Sequence, residues 1–246
     1  MERKEKNPFF RMAEKLLFDP SLTCAACGAE LFGDEPFCPH CLKTLPFNSG
    51  SVCSKCGRKT KGDYPVCLEC KARMPVYDRA RSVFSYEGEV VRLIKKLKTG
   101  GKYLGKIFGE YMAKIAEKEF SACDFAVFVP MTEKAEKKRG YNQSRLLAEE
   151  VCAAAGIPLE GEVLVKTRET GEQKWLSKKE RAHNLAGSFR VHERKKCRDK
   201  RILVIDDVMT TGATANAIAS SLRAAGAKEV CLLTAASVPL GENQVK

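Results

Sequence analysis

The sequence predicts an α/β fold, a parallel sheet flanked by helices, preceded by a small cysteine-rich module. Three observations predict it. Residues 202–205 are four consecutive apolar residues, a strand buried on both faces, and they lead into Asp206, Asp207 and a loop of small residues. From residue 80 onward, apolar runs of strand length alternate with helical stripes, the pattern of strands covered by crossover helices. Ahead of that region stand two evenly spaced groups of cysteines.

The length of 246 residues accommodates one α/β core and a small module. The divisions expected are a helical segment over 1–20, the cysteine module over 21–74, the α/β domain over 75–238 and a tail over 239–246. Residues 9–18 carry an amphipathic helical pattern ending before Asp19-Pro20, which reads as a docking helix. Lys and Arg number 43 against 31 Asp and Glu, a net charge of +12 that calls for an anionic partner: nucleic acid, an acidic substrate or a membrane surface. No apolar run reaches the roughly 18 residues of a membrane span, and no apolar leader follows the charged N-terminus. A cytoplasmic location is expected. In that reducing compartment, 12 cysteines argue for metal binding over a disulfide framework.

The cysteines of the module are Cys24, Cys27, Cys38 and Cys41, then Cys53, Cys56, Cys67 and Cys70. Each of the second set follows its counterpart by 29 residues, so the module is an internal duplication. Each tetrad reads C-x2-C-x10-C-x2-C, and two residues between paired thiolates let a tight turn aim both sulfurs at one ion. Gly28 and Gly57, directly after the first pairs, suit such turns. Two structural zinc sites of the zinc-ribbon kind are expected; whether ions pair within or between repeats stays open. Four sulfur ligands leave no position for a reactive water, so catalysis there is not expected. A module this poor in large apolar side chains draws its folding free energy from metal, and zinc removal is expected to unfold residues 24–70 while the α/β core stays folded. Cys123, Cys152, Cys197 and Cys231 lack metal spacing and read as ordinary thiols.

Within the α/β region, residues 80–86 read as a strand. Val90, Val91, Leu93, Ile94 and Leu97 form a helical stripe with Lys95, Lys96 and Lys98 on its far side, a solvated or a nucleic-acid-facing surface. After Gly100-Gly101, a second helix has Leu104, Ile107, Phe108, Tyr111, Met112 and Ile115 on its inner face. Residues 125–129 form another buried strand. A polar, basic loop over 131–143 then opens a helix over 142–155. Residues 163–166 are a strand, and the long polar stretch over 167–184, holding Trp175, Arg181 and His183, reads as a lid, a binding loop or disorder. Residues 189–191 resume strand character, and residues 230–233 complete a βαβ unit with the strand at 202–205.

Acids at the C-terminal end of such a strand sit in the crevice where open α/β sheets bind ligands. The loop Thr210, Thr211, Gly212, Ala213 and Thr214 runs into an alanine-rich helix, where backbone N–H groups and hydroxyls cradle a phosphate. Acids for hydroxyls and amides for phosphate describe a ribose 5-phosphate. The Mg²⁺-holding strand of P-loop NTPases is excluded because no G-x-x-x-x-G-K-[ST] occurs. Helix capping accounts for one acid and one threonine and leaves the rest unexplained. Residues 202–214 resemble the phosphoribosyl-pyrophosphate (PRPP) signature of type I phosphoribosyltransferases at every position. That resemblance implies a type I phosphoribosyltransferase-like sheet, with Asp206 and Asp207 on the ribose hydroxyls and 210–214 on the 5-phosphate. It further implies Mg²⁺ with the bound PRPP. Lys134, Lys137, Lys138 and Arg139 are then suited to its pyrophosphate, and Arg181 to closing over it. Both acids are expected at a solvent-reached sheet edge.

The order of motifs narrows the resemblance further. Paired zinc ribbons are followed by the Leu97-Lys98 helix, then Arg139-Gly140-Tyr141-Asn142-Gln143, then Gln173, Leu176, Arg181, Asn184 and Phe189, then the PRPP signature. This order is similar to that of the ComF family over residues 20–236. The resemblance implies a PRPP-binding phosphoribosyltransferase-type protein with a role in natural competence and DNA uptake, and partners such as a competence helicase or other uptake proteins. It names no acceptor, and no residue stands out as a general base. The alternative it leaves is a single-stranded DNA-binding competence accessory protein whose PRPP pocket serves as a sensor or is non-catalytic.

Overall fold

A computed structural model describes residues 23–33, 35–60, 64–167 and 187–241. The segment over 1–20, Trp175, Arg181 and His183 lie outside the described residues, as does the tail beyond 241. The chain forms two compact units, Met1–Leu45 and Pro46–Lys246.

The first unit holds the first cysteine tetrad. A short antiparallel bridge between Thr23 and Glu30 closes a turn in which Gly28 takes φ +77°, a backbone that a side chain would strain. Helix α1 (Pro39–Thr44) begins on Cys38, whose sulfur accepts from the Cys41 N–H. The second unit repeats this design with a Val52–Lys59 bridge, Gly57 at φ +69° and helix α2 (Leu68–Ala72) beginning on Cys67. The duplication read from the spacing is thus a duplication of structure.

The rest of the second unit is built on a parallel sheet. Its strands are β1 (Arg79–Ser85), β2 (Phe125–Phe128), β5 (Arg201–Met209) and β6 (Glu229–Ser237), in the order β1-β6-β5-β2 with every pair parallel. A separate antiparallel pair, β3 (Leu164–Lys166) and β4 (Phe189–Val191), brackets the stretch at 168–186. Side chains alternate across β5: Ile202 and Val204 join the core that includes Ile218 and Leu222, whereas Leu203 and Ile205 are buried on the opposite face. Helix α8 (Ala213–Ala224) supplies Ile218 and Leu222 and connects β5 to β6.

The opposite face is covered by α4 (Tyr103–Glu119), which follows α3 (Gly88–Lys98), and by α6 (Gln143–Ala155). The buried stripe of α4 is Leu104, Gly105, Phe108, Gly109, Met112, Ala113 and Ala116. Ile107, Tyr111 and Ile115, expected on its inner face, are only half-buried. The glycines explain the rotation: a Cβ on Gly109 would lie 2.4 Å from Glu150 Cβ and one on Gly105 3.2 Å from Leu146 Cβ, so α4 meets α6 along its glycines. The loop at 131–143 also differs from expectation, because Thr132 caps a further helix, α5 (Glu133–Arg139), that ends on Gly140 in the left-handed region. A four-residue turn, α7 (Arg194–Cys197), precedes β5. No helix among the described residues is long and apolar enough to cross a membrane.

Candidate functional site

The parallel strands β2 and β5 are neighbours, so the chain leaving β2 into α5 and the chain leaving β5 into the loop at 210–214 emerge at one edge. Strand β5 does not stop at its acids, as the apolar run suggested. Its pairing with β2 ends at Phe128–Ile205, whereas its pairing with β6 continues to Met209–Ser237. Asp206 and Asp207 therefore lie on a strand that is still held on one side and open on the other.

The two acids have different surroundings. Asp207 is buried, not at a solvent-reached edge: Lys98 Nζ lies 2.5 Å from its Oδ2, and Gln143 Nε2 donates to its Oδ1 at 3.3 Å. Burial by itself would pull Lys98 down, but the charges of Asp207 and then Asp206 outweigh it and hold the lysine above its ordinary range. Asp206 is half-buried; its Oδ1 accepts from the Ser144 hydroxyl at 2.8 Å and from the Asp207 N–H at 2.9 Å. Burial and the neighbouring charge of Asp207 push its carboxyl up to about 8. Asp206 lines a small cleft with Thr210, Gly212, Ala213 and Thr214.

Residues 139–144 build the wall facing these acids. Arg139 donates to Gln143 Oε1, which links it through the amide to Asp207. Gly140 turns the chain at φ +84°, and Tyr141, buried, donates to the Leu97 carbonyl while accepting from the Gly100 N–H at 2.9 Å. Those two bonds fix the end of α3 that carries Lys98. Asn142 caps α6 through Oδ1, accepting from the Ser144 and Arg145 N–H groups, and its amide donates to the Val129 carbonyl at 3.1 Å. Lys98 is thus a site residue, not a member of the exposed face with Lys95 and Lys96: one turn past Ile94, its stem follows the buried stripe to the acids. The sequence reading names Arg139 and the acids as site residues and gives no site role to Lys98, Gln143 or Ser144. Lys98 and Gln143 do stand in the motifs that carry the resemblance, and Asn142 reads as a helix start, whereas Ser144 has no signal of its own.

Gly212 takes φ +74° and begins α8 without a side-chain cap. Thr211 Oγ1 accepts from the Ala213 N–H at 3.3 Å, while Thr210 is exposed. Lys134, Lys137 and Lys138 are exposed on α5, and Lys137 pairs with Glu133 at 3.8 Å.

The cysteines of each tetrad come together, with ligand atoms all within 4.8 Å of one another. Sulfurs also accept backbone N–H bonds: Cys24 from Cys38 at 3.2 Å and Cys53 from Cys67 at 3.3 Å. The Cys70 thiol and, against the effect of burial, the Arg58 guanidinium hold Cys56 down to about 4. All-sulfur sets with N–H···S bonds fit zinc within each repeat, which settles the pairing the spacing left open.

The open-edged parallel sheet, the loop into α8 and the paired tetrads define a phosphoribosyltransferase-type α/β protein with a double zinc ribbon. The double zinc ribbon domain family matches residues 13–79 and the phosphoribosyl transferase domain family residues 141–245. Competence protein ComFC of Streptococcus pneumoniae is 30% identical over 216 residues, covering 86% of this chain and 86% of that protein. The chain belongs to the ComF family. Competence protein F of Haemophilus influenzae is 34% identical over 103 residues, 42% of this chain, and the match spans 45% of that protein's own length. Among solved structures, purine phosphoribosyltransferase from Pyrococcus horikoshii is 18% identical with a TM-score of 0.36, covering 55% of this chain and 74% of that one.

Proposed function

We propose that the cleft at the end of β5 binds PRPP with Mg²⁺ and that the protein serves natural competence and DNA uptake. The observation that carries the reading is the division of labour at Asp206 and Asp207. Asp207, paired with Lys98 and Gln143, is the internal anchor, and Asp206, half-exposed on the cleft, is the acid that accepts from the ribose hydroxyls. Residues 210–214 receive the 5-phosphate, since α8 starts on a left-handed glycine whose side carries no cap. Mg²⁺ is held chiefly by ligand phosphates, for which one carboxylate such as Asp206 suffices. Bound there, the ion would neutralise the departing pyrophosphate as positive charge develops at C1. Arg139, tied to Asp207 through Gln143, is one of the proposed pyrophosphate contacts; Lys134, Lys138 and Arg181 complete that proposal.

Titration of Mg²⁺-PRPP by calorimetry tests the reading. Above about pH 8, where the Asp206 carboxyl is ionised, a charge-assisted hydrogen bond contributes about 1.5–3 kcal/mol, so Asp206→Asn should weaken binding there roughly ten- to a hundredfold. Equal affinity in wild type and variant would remove Asp206 from the ribose. The names of the competence relatives support the biological role, and the charge of +12 favours a nucleic-acid partner beside the PRPP site.

A further inference from the structure

The two tetrads share ligand spacing and turn geometry, yet their surroundings differ. In the second, Cys53, Cys56, Cys67 and Cys70 are all at most 5% exposed. In the first, Cys24 and Cys41 are buried, Cys38 is half-buried and Cys27 is exposed. The second also has a charged partner. Arg58, 5% exposed, donates from Nε to Cys56 Sγ at 3.4 Å and from Nη2 to Glu69 Oε2 at 3.0 Å. The residues 29 positions earlier are Ala29 and His40, both exposed, so the first tetrad has no such pair at the repeat-equivalent positions.

The second turn is also tied to the sheet. The Ala80 N–H donates to the Lys55 carbonyl at 2.7 Å, and Lys55 Nζ donates to the Asp78 carbonyl at 3.1 Å. Gly57 lies so close to β1 that a Cβ there would be 2.3 Å from Ala80 O. Strand β1 is an edge of the parallel sheet, and this turn shields it, while Pro46 and Asn48 pair with Ser85 and Val83 further along. The four cysteines belong to the same hydrophobic cluster as Ala80, Ile202 and Leu222.

We propose that the tetrads hold zinc in two roles. The ion at Cys53, Cys56, Cys67 and Cys70 is a fixed part of the sheet edge, held by Arg58, and the ion at Cys24, Cys27, Cys38 and Cys41 exchanges with solvent-borne chelators and thiols. Four thiolates around Zn²⁺ carry a net charge of −2, and a buried dianion is costly unless a cation is hydrogen-bonded to it. Arg58 provides that cation at the second site. Exchange requires an incoming ligand to reach a Zn–S bond, and Cys27 exposes one while the second site exposes none. The sequence alone leads to the expectation that zinc removal unfolds residues 24–70 while the α/β core stays folded; on this proposal the loss is stepwise, with the sheet failing at the second step.

The test is zinc release from the full zinc-loaded chain into a chromogenic chelator, followed together with circular dichroism and cysteine alkylation mapped by mass spectrometry. One equivalent should leave rapidly with alkylation of Cys24, Cys27, Cys38 and Cys41 and with the spectrum of the α/β core retained. The second should leave slowly, with loss of the spectrum. Arg58→Ala should accelerate only the slow phase, by about 10- to 100-fold, the usual effect of removing a hydrogen-bond partner of a metal ligand. Ala29→Arg with His40→Glu, which transplants the pair and leaves the sheet untouched, should slow the fast phase. A single phase for both ions, early alkylation of Cys53 or Cys56, or a fast phase unmoved by the transplant would overturn the proposal.

Discussion

Asp206 and Asp207 are adjacent in sequence and of one chemical type, yet the structure gives them opposite consequences. The Asp206 carboxyl titrates near 3.8 when unperturbed and is pushed up to about 8 by burial and by Asp207. Between those values the folded chain holds a proton that the unfolded chain has lost, so this group makes stability fall as pH rises through the window. Asp206→Asn should therefore gain in melting temperature over wild type as pH is raised from about 4.5 to 8.5. A difference that stays constant across that range would contradict the shifted carboxyl. Asp207→Asn should act in the other sense at neutral pH, leaving Lys98 charged beside a neutral amide. Losing one partner of a fully buried pair costs about 3–5 kcal/mol, and the cost here should be smaller because the Lys98 side chain is 33% exposed. Urea unfolding of the two single variants separates these effects, which the double variant would mix.

At the scale of elements, the site depends on how the N-terminus of α6 meets the C-terminus of α3. Tyr141 joins them by donating to the Leu97 carbonyl and accepting from the Gly100 N–H. Tyr141→Phe keeps the ring and removes both bonds, at a cost of about 1–3 kcal/mol for groups left unsatisfied. Because Lys98 follows Leu97 directly, the same variant should weaken Mg²⁺-PRPP binding; unchanged affinity in a destabilised protein would show that the turn does not set the lysine. The packing of α4 on α6 offers a purely structural counterpart. In Gly109→Ala, a methyl group 2.4 Å from Glu150 Cβ forces the helices apart, and overpacking of this kind costs about 1–3 kcal/mol. Thermal melts should show the loss, and an unchanged midpoint would mean that α6 yields freely.

At the scale of the whole molecule, charge is the property that reaches beyond any one element. The excess of 12 positive charges includes Lys95 and Lys96, exposed on α3, and Lys134 and Lys138, exposed on α5. If that excess serves DNA, single-stranded DNA should bind without strong sequence preference, and log affinity should fall with log salt by about 0.7 per phosphate contacted. Fluorescence anisotropy with a labelled oligonucleotide over a salt series measures this slope; no binding at low salt would leave the lysines as a solvated surface.

What the sequence determined is what local chemistry can specify. A run of β-branched and aliphatic residues marks β5 as a buried strand, a left-handed glycine and threonines make the loop before α8, and C-x2-C pairs at a repeat of 29 residues make two all-sulfur sites. Asn142 was readable as a helix start for the same reason, since a cap bonds to its own next residues. What the tertiary structure decided is which of two like residues is inside. No local rule separates Asp206 from Asp207 or Lys98 from Lys96, because each distinction arises from partners far away in the chain: Lys98 is 109 positions before Asp207. The two tetrads differ already in sequence, where Arg58 and Glu69 replace Ala29 and His40, but only the fold brings β1 against the second turn. Helix α4 makes the same point, for its glycines became its buried face only when α6 was packed against them.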